Sequence, residues 1–176
     1  GAQFCVDESD CIVFTIHDLY GDGIEAPGGF WIYRDGVQVG GGGNFNFQDV
    51  VETNCPAGYS CGSPQVVTTG TYSASHTDFW YSFTPAQNGM YSVSTCDADC
   101  DTRIWLYDYC NNLIWDDTNV GAIYFNDENA ECGEQADINA ILVGGQVYYI
   151  RIGAPDGACA GAIAWSVQYD GGITGC

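Results

Sequence analysis

The chain contains no lysine and only three basic residues in all, Arg34, Arg103 and Arg151, against 23 aspartates and glutamates in 176 residues. A formal net charge of −20 excludes nucleic acid as a natural partner, because phosphate is repelled rather than neutralised. The same charge disfavours anionic membrane surfaces. Without lysine there is no P-loop phosphate site, no Schiff-base chemistry and no lysine-based isopeptide bond, so covalent reinforcement must come from cystine. No apolar run approaches the roughly 18 residues of a membrane span. No Asn-x-Ser/Thr sequon occurs, leucine is scarce, and no stretch carries helical periodicity. Histidine is limited to His17 and His76.

What is abundant is equally directive. Ten cysteines, Cys5, Cys11, Cys55, Cys61, Cys96, Cys100, Cys110, Cys132, Cys159 and Cys176, point to an oxidising, extracellular or cell-surface compartment and a disulfide framework. At 176 residues the chain is long enough to bury a real core, so bridges reinforce a fold rather than replace one. Ten cysteines allow roughly 945 pairings. Short-range expectations are Cys96–Cys100 or Cys96–Cys110, Cys159–Cys176, and Cys5 or Cys11 with Cys55; bridges near the ends could also link subunits. Abundant glycine and aromatics with few helix formers describe many short strands joined by tight turns.

The organisation reads as a small module, residues 1–55, a turn-rich link, 56–60, and a larger domain, 61–176. In the first part Ile12 to Ile16 is a strand. Phe30 to Tyr33 and Val37 to Val39 flank Asp35-Gly36, a strong hairpin signal because a type I′ turn needs positive φ at both centres. Gly40 to Gly43 reads as too flexible for a strand interior, and Phe45 and Phe47 alternate beyond it. In the second part Phe79 to Phe83 precedes an Asn88-Gly89 turn, and Tyr91, Val93 and Thr95 share one face of the next strand. Ile104 to Tyr107 is apolar on both faces and therefore central. Ile138 to Val143 and Val147 to Ile152 read as a hairpin around Gly144-Gly145. Ala162 to Tyr169 closes the domain. The expected fold is all-β, an antiparallel, disulfide-stapled, jelly-roll-like sandwich with a small N-terminal β module.

Three acidic clusters are candidate Ca²⁺ sites, since Ca²⁺ takes six to eight oxygens from carboxylates and bent-loop carbonyls. They are Asp18, Asp22 and Glu25 in a glycine-rich loop; Asp99 and Asp101 between Cys96 and Cys100 and the next strand; and Asp116 with Asp127 across the long acidic stretch from Cys110 to Cys132, which a bridge at either end would pin. Each has the alternative of a solvated turn. Zinc through Cys96 and Cys100 lacks partners. Trp31, Trp115 and Tyr124 lie near turns and are candidates for stacking on sugar rings, against a core role. His76 with Asp78 nearby lacks a nucleophile elbow, and His17 reads as packing or capping, so a non-catalytic protein is expected.

Residues 12–47 resemble a small module of secreted bacterial proteins. The resemblance is carried by Asp18-Leu19-Tyr20-Gly21-Asp22-Gly23, Pro27-Gly28-Gly29-Phe30 and Asp35-Gly36. Residues 78–169 resemble the pre-peptidase C-terminal domain. The segments are Asp78-Phe79-Trp80-Tyr81-Ser82-Phe83, Gly89-Met90-Tyr91-Ser92-Val93, Asp101-Thr102-Arg103-Ile104-Trp105-Leu106-Tyr107-Asp108 and Gly144-Gly145-Gln146-Val147-Tyr148-Tyr149-Ile150-Arg151-Ile152. This second resemblance implies a jelly-roll-like sandwich, secretion, frequent Ca²⁺ binding, no catalysis of its own and a turn-supporting role for Asp101. Together these readings give a secreted structural protein, Ca²⁺-stabilised, that forms or decorates an extracellular assembly with copies of itself, using strand addition. The alternative is a carbohydrate- or surface-binding accessory module of a secreted bacterial enzyme.

Overall fold

The computed structural model describes residues 10–18, 22–24, 28–43, 48–110, 121–155 and 158–172, with residues 17 and 48–50 as backbone alone. No helix occurs among the described residues. The strands are β1 (Ile12–His17), β2 (Phe30–Arg34), β3 (Val37–Gly42), β4 (Gln48–Thr53), β5 (Gln65–Val67), β6 (Gly70–Ala74), β7 (Phe79–Phe83), β8 (Gly89–Ser94), β9 (Arg103–Tyr107), β10 (Tyr124–Asn126), β11 (Asp137–Leu142), β12 (Tyr148–Gly153) and β13 (Ile163–Gly171). They form two compact units, Gly1–Pro56 and Ala57–Cys176.

The first unit consists of two antiparallel ribbons, β1 with β4 and β2 with β3. Asp35 (φ 49°) and Gly36 (φ 80°) make the expected turn, both in the left-handed region that type I′ requires. The ribbons meet through Phe14 and Phe30, whose rings lie 5.8 Å apart. The Cys11–Cys55 bridge closes the ends of β1 and β4, beside the Ile12–Thr53 pair. The glycine run departs from expectation: Gly40 to Gly42 complete β3 rather than interrupting it. A Cβ at Gly40 would overlap the Val51 methyls on β4, so the missing side chain is what lets one ribbon approach the other. Phe45 and Phe47 lie outside the described residues.

The second unit is a two-layer sandwich. One sheet runs β10-β9-β12-β7-β5 and the other β11-β8-β13-β6. Pairing is antiparallel except for β5, which lies parallel to β7. The chain changes sheet at every connection from β5 to β13 save that between β9 and β10. Strands that follow one another are therefore seldom neighbours, and each alternating pattern buries its apolar side in the same core. That core holds Tyr81 and Phe83 from one sheet and Tyr91, Val93, Trp165 and Val167 from the other. The Tyr81 and Trp165 rings stand 4.4 Å apart across it. The far side of the five-stranded sheet carries a second buried cluster, Trp80, Trp105 and Tyr107, with Phe125 and Tyr149 against it. This explains the apolar character of β9 on both faces.

The sheet-switching overturns one expectation directly. β11 and β12 are not a hairpin: β11 pairs with β8 and β12 with β7 and β9, in different sheets. The Gly144-Gly145 turn is instead an arch seated on the β7–β8 connection. The Gly145 N–H donates to the Pro85 carbonyl (2.9 Å) and the Gly144 N–H to Asn88 Oδ1 (2.8 Å). A Cβ on Gly144 would meet Gln87 Cα at 2.7 Å.

The same topology decides the cysteine pairing. The β8–β9, β10–β11 and β12–β13 connections gather at one end of the sandwich, since Asp137 faces Ser94 and Gly153 faces Arg103. Bridges join neighbouring connections: Cys96–Cys132 and Cys100–Cys159, with Cys61–Cys110 beside the second aromatic cluster. Of the two partners expected for Cys55, Cys11 is the one bonded; the expected Cys96–Cys100, Cys96–Cys110 and Cys159–Cys176 pairings are incorrect, because each has a cysteine committed elsewhere. Cys5 and Cys176 themselves lie outside the described residues. The acidic stretch from Cys110 to Cys132 is pinned at both ends, as anticipated.

Gly58 lies at the start of the second unit. It is buried, holds φ 102°, donates to the Ser63 carbonyl (2.6 Å) and accepts from the Trp80 N–H (2.7 Å). A Cβ there would overlap the Phe79 ring. Gly58→Ala combines a strained backbone with overpacking and is expected to cost about 2–4 kcal/mol, measured as a lower urea midpoint of the oxidised protein; an unchanged midpoint would refute this reading.

Candidate functional site

The acidic β8–β9 turn is held by neutral hydrogen bonds. Thr95 and Thr102 are fully buried, with their hydroxyls 2.5 Å apart. Between them they engage both backbone groups of Ala136: Thr95 Oγ1 donates to its carbonyl (3.0 Å), and its N–H reaches Thr95 Oγ1 (3.0 Å) and Thr102 Oγ1 (3.2 Å). The Gln135 side-chain amide donates to the carbonyls of Ala98 (3.2 Å) and Cys100 (3.3 Å). The amide thereby ties the β8–β9 turn to the segment leading into β11. Asp99 is exposed and Asp101 half-buried beside this strap. With Cys96 and Cys100 both in bridges, neither offers a thiolate to zinc.

In the first unit the Asp18 carboxylate accepts the Gly23 N–H at 2.5 Å, closing its loop through a backbone donor. Asp22 is exposed, and Glu25 lies outside the described residues. Asp127 is half-buried after β10, while Asp116 lies outside the described residues. Among the described residues no three His, Cys, Asp or Glu side chains converge on a point that would hold a metal ion. The described donors thus do not by themselves form a six-oxygen Ca²⁺ cage.

Among the described residues the most buried charge belongs to Arg151 on β12. It donates to Asp78 Oδ1 at 2.5 Å, and its guanidinium lies 4.3 Å from the centre of the Trp105 ring. Asp78 is half-exposed at φ 62°, and Gly153 leaves room for it: a Cβ there would sit 2.8 Å from Asp78 Oδ1. Burial pushes the nearby Tyr107 hydroxyl up, an effect that Arg151 only partly offsets. Asp78 is thus an ion-pair partner in a packed cluster. His76, considered with it from the sequence, turns its Nδ1 to the Thr77 carbonyl (2.7 Å) and packs its ring between Tyr59 and Phe79. The arrangement supplies no nucleophile–base pair.

The aromatic candidates separate cleanly. Trp80, Trp105 and Trp165 are in the core, whereas Trp31 on β2 is 57% exposed. Trp115 lies outside the described residues. Tyr124 is 38% exposed on β10, at the edge of its sheet. Tyr33, not singled out from the sequence, is 61% exposed on the same side of β2 as Trp31. The alternation Phe30-Trp31-Ile32-Tyr33 was the signal that could have found it. Trp31 faces Gly41 across the ribbon and Tyr33 faces Gln38.

No protein-family model matches the chain, and no curated protein matches its sequence. The resemblance of residues 78–169 to the pre-peptidase C-terminal domain rests on the segments quoted above.

The surroundings of Glu52 on β4 disfavour its charge. Burial pushes its carboxyl above the usual range, and its Oε1 has no hydrogen-bond partner. A raised folded-state value means that ionisation opposes folding. The penalty is complete above the folded value and vanishes below the unfolded one. Glu52→Gln is therefore expected to raise the urea midpoint at pH 7 and to leave it unchanged near pH 3; a neutral or destabilising effect at pH 7 would contradict the assignment.

Proposed function

We propose that this chain is a non-catalytic structural protein of an extracellular assembly, built by contacts between copies of itself. One observation carries the reading. In the first unit every described apolar side chain, Ile12, Phe14, Ile16, Phe30, Ile32, Val39 and Val51 among them, remains partly exposed, while among the described residues all fully buried hydrophobic side chains belong to the second unit. A half-closed apolar layer between two-stranded ribbons is stable in company and marginal alone. A neighbouring copy would supply the cover.

Strand edges offer the means. Among the described residues each of β1 to β4 has one flank without a strand partner. In the second unit β13 pairs with β6 only as far as Val167, although the strand continues to Gly171. A shallow groove of about 470 Å³, lined by Thr69, Gly70, Thr71, Val167, Gln168 and Tyr169, opens at that point. None of these residues carries a charge, so an extended segment of a like-charged copy can approach without repulsion at the contact itself. Four disulfides suit an oxidising environment outside the cell, where such an assembly would persist. At −20 per copy, long-range repulsion needs screening, and we assign Ca²⁺ that role between copies rather than within one.

The test is the assembly state of the oxidised chain, followed by light scattering and negative-stain imaging with Ca²⁺ and then with chelator. Ordered polymers that form with Ca²⁺ and loosen under chelator are expected. A monomer under every condition would overturn the proposal.

A further inference from the structure

We infer that the outer face of the β2–β3 ribbon is a binding platform for an uncharged saccharide, with Trp31 as its stacking surface. Trp31 is laid down rather than standing free. A Cβ on Gly29 would lie 3.3 Å from the far ring carbons of the indole, and one on Gly41 3.1 Å from its Cδ1. Two glycines, one just before β2 and one across the ribbon, thus clear a bed on which the ring rests along the sheet. With one side against backbone and 57% of the residue still exposed, the indole turns its other side to solvent. No described aliphatic side chain faces Trp31 across the ribbon, because its partner is Gly41.

The neighbours on this face are polar. Tyr33 stands two residues along β2, about 7 Å away by strand geometry, and Gln38 faces it across the ribbon. Both are exposed and carry groups that donate and accept hydrogen bonds. An exposed ring flanked by a phenol and a carboxamide matches a sugar, whose C–H face stacks on an aromatic ring while its hydroxyls seek polar partners. An aliphatic protein surface would leave those polar groups without use. A chain of net charge −20 selects against anionic glycans and against stacked nucleotides. The open, flat bed also lacks the enclosing walls of an aromatic cage for a quaternary ammonium. The platform lies on the side of β2 opposite Phe30 and Ile32, which form the half-closed layer between the ribbons. It therefore stays open when that layer is covered, and the inference does not depend on the assembly reading.

The test uses the full oxidised chain, at a concentration where light scattering reports a monomer, against insoluble cellulose, chitin, xylan and starch. Retention on at least one is expected. Trp31→Ala should weaken it roughly tenfold or more, the effect of losing one stacking contact, and Trp31→Phe and Tyr33→Ser should weaken it less. In a second readout, the Trp31 indole N–H resonance should shift with the matching soluble oligosaccharide, while those of Trp80, Trp105 and Trp165 stay fixed; this holds even if Trp31→Ala fails to fold. Retention on none of the four with no shift at Trp31, or retention that survives Trp31→Ala, would overturn the inference. So would a Trp31→Ala variant that loses self-association while no glycan binds, which would make this face an interface between copies.

Discussion

The aromatic layer between the two sheets of the second unit is the contact on which the rest depends. Tyr81 and Phe83 on β7 pack against Trp165 on β13 and Tyr91 on β8, with ring centres 4.4 to 5.4 Å apart. Large rings bury much area per residue, so strands of five or six residues suffice to close a core. Because the chain changes sheet at almost every connection, strands from both sheets contribute their apolar sides to that one layer. The first unit has no comparable layer among its described residues: its ribbons meet through Phe14 and Phe30, but no described hydrophobic side chain there is fully buried. Burial is thus divided unequally along the chain, and that inequality is the physical reason for looking to a neighbour.

The end of the sandwich where three connections meet is tied by covalent and neutral polar contacts. Two bridges cross it, Thr95 and Thr102 satisfy Ala136, and Gln135 takes the carbonyls of the turn. These contacts join the three connections into one rigid end. The dense negative charge of the chain makes its interactions with other molecules sensitive to salt and divalent ions.

Much of the fold was legible in the sequence where periodicity was strong. Tyr91, Val93 and Thr95 do share a buried face, Ile104 to Tyr107 is central, and Asp35-Gly36 is the type I′ turn. Pairing was not legible, because it is set by which sheet a strand joins. Gly144-Gly145 has the composition of a hairpin turn, but the arch it makes is fixed by Pro85 and Asn88, more than fifty residues earlier. Cys96 and Cys100 are close in sequence yet reach different connections for the same reason. Short polar strands such as β5, β6 and β10 carry too little pattern to be read. Of the candidate site residues, Trp31 could be named in advance, but its bed could not: the use of Gly29 and Gly41 emerges only when the two strands are placed side by side.

The central claim is that the first unit completes its core on another copy. Amide hydrogen exchange of the oxidised protein, followed by fragment mass spectrometry across a dilution series, tests it most directly. The account predicts that protection of β1 to β4 rises with protein concentration and falls on dilution, while protection of β7, β8, β12 and β13 stays constant. Equal protection of both units at the lowest concentration would contradict it, since the first unit would then be closed and stable by itself.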